Sequence, residues 1–191
     1  MNAIDKLAAY FNSKADLKHV DTEVICSYFR EEPVAKEENL FREGEKYNKI
    51  AFVVKGILRV FVTDYDGEEI VKNFVEEDNF FSDIESFGNN SPSVINVSAV
   101  TDCILLTLSK PDADLLTNKI PQWTYFMKIG EMQAMNEMIR NQNFLRIGNS
   151  LDKYNYFVKK FPVLAKHVPL KYIASYLGIT QSSLSRIRKK V

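Results

Sequence analysis

Short β-type segments separated by turn signals fill the centre of the chain and set narrow limits on its fold. Between Leu40 and Ser109 these segments read IAFVV, ILRVFVT, EEIVKNFV, VINVSAV and CILLTLS. Asp66-Gly67 separates two of them and supplies the positive φ that a tight hairpin requires. Short strands at such close spacing favour an antiparallel barrel or jelly roll and argue against a doubly wound βαβ fold.

Helical patterns flank this β region on both sides. Residues 1–29 repeat apolar side chains at helical spacing and predict an N-terminal helical cap. Pro121 can open a long helix that runs to Ile147 without an internal proline. Apolar side chains recur along it at steps of three and four, which predicts pairing in a homodimer, although such a stripe can also cover the β region. This predicted dimer seam consists of Trp123, Met127, Gly130, Ala134, Met138, Asn141 and Leu145.

The net charge of zero conceals a separation of charge along the chain. Residues 150–191 hold nine Lys or Arg side chains and one acid, Asp152, so this segment carries +8 and the remainder −8. A basic segment on an acidic body is typical of a protein that binds a polyanion, whereas the alternative is a solvated lysine-rich face. No signal peptide or membrane span is recognisable, so a cytoplasmic location is expected.

The C-terminal stretch VPLKYIASYLGITQSSLSRIRKKV predicts a helix-turn-helix. Pro169 can open a first helix, and Gly178 stands where a helix end favours a left-handed residue. Thr180 can cap a second helix by accepting a hydrogen bond from the Ser183 N–H. Leu184 and the apolar residues after it would then lock the second helix onto the first.

The outward face of the second helix carries side chains that contact base edges or phosphates in a major groove. None of these side chains is acidic, which favours DNA binding over a terminal hairpin that only packs on the body. The predicted DNA-binding residues are Thr180, Gln181, Ser182, Ser185, Arg186, Arg188, Lys189 and Lys190.

This order of elements resembles the Crp/Fnr family of bacterial transcription regulators. The residues that carry the resemblance are LFREGE at 40–45, IAFVVKG at 50–56, DGEE at 66–69, IASYLGIT at 173–180 and LSR at 184–186. It implies an α+β fold with a cyclic-nucleotide-binding-like β-roll (a double-stranded β-helix or jelly roll) as sensor over residues 1–120. It further implies a dimerisation helix over 121–149 and a helix-turn-helix domain over 150–191. The implied partners are double-stranded DNA with a palindromic operator, a second copy of the chain and RNA polymerase.

Two departures from the family pattern change these expectations. Members that bind cyclic nucleotides carry Phe-Gly-Glu followed by Arg-Ser or Arg-Thr in the β-roll, whereas residues 81–93 read FSDIESFGNNSPS, without Lys or Arg. Binding of cAMP or cGMP in the usual manner is therefore not expected, and any effector is an unidentified small molecule. The family's β-hairpin wing has no counterpart after the second helix. The degenerate effector pocket comprises Phe81, Ser82, Asp83, Ile84, Pro92 and Ser93.

Other functions find less support in the sequence. The chain lacks a recognisable catalytic constellation, so no catalytic residue and no enzyme activity is predicted. Two cysteines are too few for an iron–sulfur cluster or a cysteine-rich zinc site, and no metal site is predicted. A haem sensor would have to use the isolated candidates Cys26, Cys103, His19 and His167, which are more simply a core thiol or a surface imidazole. The serious alternative is a dimeric module that senses a ligand or protein and has no defined operator.

Overall fold

The computed structural model describes residues 2–14 and 19–189 and confirms the α+β fold class. Two helices, α1 (Ala3–Lys14) and α2 (His19–Ser27), precede the strands. The strands are β1 (Arg30–Val34), β2 (Asn39–Phe41), β3 (Lys49–Lys55), β4 (Leu58–Thr63), β5 (Glu69–Val75), β6 (Phe80–Phe81), β7 (Asn96–Ala99) and β8 (Cys103–Ser109), with α3 (Ile84–Asn89) between β6 and β7. The later helices are α4 (Lys110–Lys119), α5 (Pro121–Ile147), α6 (Ser150–Lys160), α7 (Pro162–His167), α8 (Leu170–Leu177) and α9 (Gln181–Arg188).

The strands form an antiparallel β-roll of two four-stranded sheets, ordered β1-β8-β3-β6 and β2-β7-β4-β5. Its interior is a cluster of buried side chains from both sheets, which include Val53, Leu58 and Leu105 at 0% exposure. The five strands expected from the sequence are all present. Strand β1 was not expected, because Arg30, Glu31, Glu32 and Pro33 obscure any apolar alternation. Such charges and a proline are typical of an edge strand, and β1 is an edge.

Gly56 makes the close β3–β4 connection possible. Its φ is +99°, and an added Cβ would lie 2.6 Å from both the Asp102 carbonyl oxygen and the Cys103 Sγ. The Gly56 N–H also donates to the Glu77 carboxylate at 3.2 Å. A side chain at this position would therefore meet both steric overlap and an unfavourable backbone angle.

An aromatic cluster fixes the start of α5 against the β-roll and α1. Trp123 is 1% exposed, and the Phe11 ring centroid lies 6.2 Å from Trp123 and 5.2 Å from Phe126. Phe52 and Phe80 complete the cluster at 5.0 Å from each other. The helix is thus anchored at its N-terminal end by edge-to-face ring contacts.

The other end of α5 is fixed by α6, which folds back along it. Asn141 is 7% exposed, and its Oδ1 accepts hydrogen bonds from the Tyr156 hydroxyl at 3.1 Å and the Lys160 Nζ at 2.5 Å. Lys160 also pairs with Glu137 at 3.0 Å. The Phe144 and Tyr156 rings stack with centroids 3.9 Å apart. The elbow between α5 and α6 is therefore held by polar and aromatic contacts together.

The helices after residue 150 share a hydrophobic cluster with the outer face of the β-roll. Phe61, Val71 and Phe74 from the strands pack with side chains of α6 to α9, such as Phe157 and Leu184. The Phe74 and Tyr176 ring centroids are 5.5 Å apart. This cluster crosses the predicted boundary at residue 150, so the C-terminal helices are joined to the β-roll by a common core.

We expect Gly56→Ala to lower the free energy of unfolding by about 2 kcal/mol or more, because the alanine Cβ would overlap the Asp102 carbonyl. Chemical denaturation followed by circular dichroism measures the change. Gly88→Ala is the control, because a Cβ there meets nothing within 4 Å and alanine favours the helix by about 0.5–1 kcal/mol. Equal stability of the Gly56→Ala variant and the unmodified protein would contradict the account of this turn.

Candidate nucleic-acid interface and effector pocket

The turn between α8 and α9 has the geometry that the sequence predicts. Gly178 ends α8 in the left-handed region, with φ +65° and ψ +37°. Its N–H donates to the Ser175 carbonyl at 3.1 Å, and the Ile179 N–H donates to the Ala174 carbonyl at 3.0 Å. Ala174 is 2% exposed where the two helices cross. These bonds satisfy the last carbonyls of α8 and set the angle at which α9 leaves.

Helix α9 is capped and docked so that one face remains open. The Thr180 Oγ1 accepts a hydrogen bond from the Ser183 N–H at 3.2 Å, which confirms the predicted cap. Leu184 is fully buried against the hydrophobic cluster, and Ile187 packs against it. The opposite side presents hydrogen-bonding and cationic groups without an acid. Its exposed members are Thr180, Gln181, Ser182, Arg186, Arg188 and Lys189, with Ser185 half-buried.

The basic charge of the C-terminal segment is divided between structural contacts and free surface. Lys160 bonds Asn141 and Glu137, and the Lys153 Nζ lies 3.5 Å from the Leu177 carbonyl. Exposed cations remain at Lys159, Lys166 and Lys171 on α6 to α8. Lys190, a predicted phosphate contact, lies outside the described residues, as does Val191.

The effector cassette predicted at residues 81–93 uses its polar groups for local structure. Asp83 caps α3, where its Oδ1 accepts from the Ser86 N–H at 3.1 Å. The Ser86 hydroxyl accepts from the Tyr47 N–H at 2.8 Å and donates to the Ser91 carbonyl at 2.7 Å. Ser93 is buried and donates to the Ile95 carbonyl at 3.0 Å. Ser82 donates to the Lys49 carbonyl at 3.1 Å.

The rest of the cassette offers little to an anion. Pro92 and Ile84 are exposed, and Phe81 packs near the rings of Phe41 and Tyr47. Asp83 is 7% exposed, and its Oδ2 and the Tyr47 hydroxyl find no hydrogen-bond partner within the described part of the chain. Burial raises the pKa of Tyr47. A cyclic phosphate would therefore meet the uncharged Pro92 where the family pattern has its Arg, and the buried Asp83 carboxylate where the pattern has Glu.

The structure places the predicted dimer seam partly against its own chain. Trp123 and Asn141 are buried within the protomer, and Met127 and Leu145 pack against its hydrophobic clusters. Gly130, Ala134 and Met138 are exposed, and so is every residue of 131–140. The opposite side of α5 carries a second heptad-spaced series, which includes Tyr125, Ile129, Met132, Asn136 and Ile139. The predicted seam is therefore corrected at its two ends, where burial within the chain explains the apolar periodicity.

Of the isolated haem candidates, Cys26, Cys103 and His167 lie within the described side chains. Cys26 and Cys103 are buried free thiols, and burial raises the pKa of Cys26 to about 11. His167 is exposed, and the His19 side chain lies outside the described residues. Within the described ranges, no group of three His, Cys, Asp or Glu side chains is placed to hold a metal ion. No helix in the same ranges is long and apolar enough to cross a lipid bilayer.

Sequence reasoning missed the residues that join the helix-turn-helix to the β-roll. Arg59, Tyr172 and Ser175 form this junction, and none was predicted as a site residue. The sequence signal for Arg59 is a single charge that interrupts the apolar segment ILRVFVT. That charge alone does not tell which face of the strand is covered by another element.

A β-roll joined by a long helix to a helix-turn-helix is the architecture of the Crp/Fnr regulators, and solved structures share it. FixK2 from Bradyrhizobium japonicum matches with a TM-score of 0.75 at 15% identity, over 85% of this chain and 83% of that one. The c-di-GMP-responsive global regulator CLP of Xanthomonas campestris matches with a TM-score of 0.70 at 16% identity, over 91% of each chain. The catabolite activator protein of Thermus thermophilus matches with a TM-score of 0.60 at 18% identity, over 95% of this chain and 85% of that one. The resemblance seen in the sequence is thereby confirmed for the fold.

The β-roll is also similar to a known domain family. Residues 31–119 match the family model of the cyclic nucleotide-binding domain. A search of curated protein sequences found no match to the chain.

We expect neither cAMP nor cGMP to raise the melting temperature of the protein, because a phosphate in the cassette would lie beside Asp83 without a Lys or Arg partner. A thermal shift titration with each nucleotide tests this, with inorganic phosphate at matched ionic strength as the control. A saturable rise in melting temperature with either nucleotide, absent with phosphate, would contradict this view of the cassette.

Proposed function

We propose that this protein is a DNA-binding transcription regulator of the Crp/Fnr type. It acts as a homodimer on a palindromic operator, and it is not an enzyme. In this proposal residues 1–120 are the sensor domain, 121–149 the dimerisation helix and 150–191 the DNA-binding domain. RNA polymerase is a further partner in the same proposal.

The observation that carries the proposal is the open face of α9 on a helix-turn-helix that is docked to the β-roll. Gln181, Ser182 and Arg186 lie exposed in the first turns of this helix. Amide, hydroxyl and guanidinium groups are those that bond base edges in the major groove. Arg186 is held at one side by a bond of 3.4 Å from its Nε to the Ser182 carbonyl, which leaves its terminal nitrogens free for a base. Lys189 and Arg188 stand at the end of the helix and suit phosphate contacts.

Dimerisation through α5 is supported by the exposure of its middle turns. Met132, Met135 and Ile139 are 55%, 60% and 51% exposed, which is unusual for large apolar side chains on one helix. Tyr125, Ile129, Met132, Asn136 and Ile139 follow alternating steps of four and three, as in a coiled-coil seam. A second copy of the same helix fits this surface, and Asn136 at its centre would set the register.

The effector in this proposal is not a cyclic nucleotide held by the usual phosphate contacts. The alternative, a ligand- or protein-sensing dimer without a defined operator, has the same β-roll and the same α5. The open cationic face of α9 favours the regulator, because a module of the second kind has no use for it.

Selection of tight-binding duplexes from a randomised DNA pool tests operator recognition. We expect a palindrome to be enriched and its affinity to fall steeply with salt. Arg186→Ala should relax the preference for a base pair at a cost of about 1–3 kcal/mol. Lys189→Ala should weaken binding to all DNA sequences alike, and it should reduce the slope of log affinity against log salt concentration by about 1.

Lys36→Ala is the matched control, since it removes an exposed lysine from the β-roll. It should leave both specificity and salt slope unchanged. An unenriched pool together with an affinity that does not respond to salt would instead support the sensing module without an operator.

We expect the double variant Met132→Glu/Ile139→Glu to convert the dimer to a monomer, because facing carboxylates would repel across the seam. Sedimentation equilibrium measures the oligomeric state. Gln133→Glu, an exposed position beside the seam, should leave the dimer intact. If Ala134→Glu/Met138→Glu dissociated the dimer while Met132→Glu/Ile139→Glu did not, the partner would lie on the face first predicted from the sequence.

A further inference from the structure

We propose that Arg59 is a positioning residue for DNA recognition, which holds α8, and through α8 the reading helix α9, on the outer face of the β-roll. The inference rests on the proposed function, because the position of α9 has a consequence only if α9 reads DNA. It concerns a contact between two parts of one chain and does not depend on an effector.

The guanidinium of Arg59 is enclosed by groups from both parts of the chain. Arg59 is 5% exposed, and its guanidinium carbon lies 4.1 Å from the Phe61 ring centroid and 4.0 Å from that of Tyr172. Its Nε donates to the Ser98 Oγ at 2.8 Å, and its NH1 group donates to the Glu69 carboxylate at 2.5 Å. Of these four partners only Tyr172 belongs to α8. The β-roll therefore orients a buried cation, and α8 supplies the ring that covers it.

This enclosure requires a planar cation. A guanidinium can stack on rings while its edge donates hydrogen bonds, whereas an ammonium is a compact charge that cannot do both. If α8 moved away, Arg59 would lose the Tyr172 ring, and the apolar side chains between α8 and the strands would be exposed to water. Both losses oppose separation.

Two further contacts of α8 complete the junction. The Ser175 Oγ accepts a hydrogen bond from the Val71 N–H at 2.9 Å and donates to the Glu69 carbonyl at 3.0 Å. Strand β5 is the outer strand of its sheet, so Ser175 satisfies backbone groups that have no neighbouring strand. The Tyr172 hydroxyl donates to the Glu37 carboxylate at 3.1 Å. Tyr172 and Ser175 are three residues apart and lie on the same side of α8.

The junction leaves the reading face of α9 free. Helix α9 packs on α8 and α6, and Gln181, Ser182 and Arg186 are exposed while α8 is docked. The docked arrangement is therefore compatible with DNA binding. In a dimer, it would fix the separation of the two reading helices, which must match half-sites about 34 Å apart.

Amide hydrogen exchange tests the junction without DNA. We expect Arg59→Ala to speed exchange of the Val71 N–H by roughly tenfold or more, because the docked state opens more often. Ser175→Ala removes the acceptor of this N–H and provides the exchange rate of a Val71 amide without its hydrogen bond. Amides of β3 and β8, away from the junction, serve as the internal control for folding. Tyr172→Phe keeps the ring and should cause a smaller change than Tyr172→Ala. Unchanged exchange at Val71 in Arg59→Ala would overturn the proposal.

Operators with altered half-site spacing test the effect on recognition. We expect the unmodified dimer to prefer one spacing, and Arg59→Ala to lose that preference while its affinity for an isolated half-site stays the same. Arg59→Lys should resemble Arg59→Ala, because it restores charge without planar stacking. If Arg59→Ala is poorly folded, the preference for one half-site spacing is measured with Ser175→Ala instead. Retained spacing preference in a variant whose Val71 exchange is accelerated would overturn the positioning role.

Failure of the proposed function and failure of the inference about Arg59 give different results. If no duplex is bound under any spacing, the proposed function fails, and the hydrogen exchange result still decides whether Arg59 holds α8. If DNA is bound and neither exchange nor spacing preference responds to Arg59→Ala, the inference about Arg59 fails and the proposed function stands.

Discussion

The C-terminal helices depend on a core that they cannot complete by themselves. Helices α7, α8 and α9 have six, eight and eight residues, lengths at which isolated helices are unstable in water. Their apolar faces meet around Phe157 and Leu184, and Phe61, Val71 and Phe74 of the β-roll close the same cluster. The helix-turn-helix is therefore ordered by contact with the β-roll, and its orientation depends on packing across the whole chain.

The apolar pattern of helix α5 covers two different environments, buried turns at its ends and exposed turns in its middle. Trp123 buries the first turns among aromatic rings, and Asn141 binds the last turns to α6. Between these ends the helix is exposed on all sides, with Met132 and Ile139 prominent. The apolar periodicity of α5 thus arises in part from intramolecular packing at both ends, whereas every residue of 131–140 is exposed.

Local features of the chain were predictable because short-range rules govern them. Gly178 and Thr180 end one helix and start the next through bonds to residues within five positions, so the turn could be inferred without tertiary contacts. The five predicted strands follow from their apolar segments and the Asp66-Gly67 turn. Strand β1 escaped prediction because Arg30, Glu31, Glu32 and Pro33 carry no such signal, and its pairing with β8 joins residues about seventy positions apart.

The sequence by itself determined the class of fold, the helix-turn-helix and the absence of cations from residues 81–93, because composition, periodicity and turn residues are local properties of the chain. The tertiary structure alone decided which turns of α5 are buried within the chain, and which side chains join α8 to the β-roll. Arg59 shows the reason, since its partners Ser98 and Tyr172 lie 39 and 113 positions away in the chain. Contacts at such separations depend on how the elements pack, and no short-range pattern encodes them.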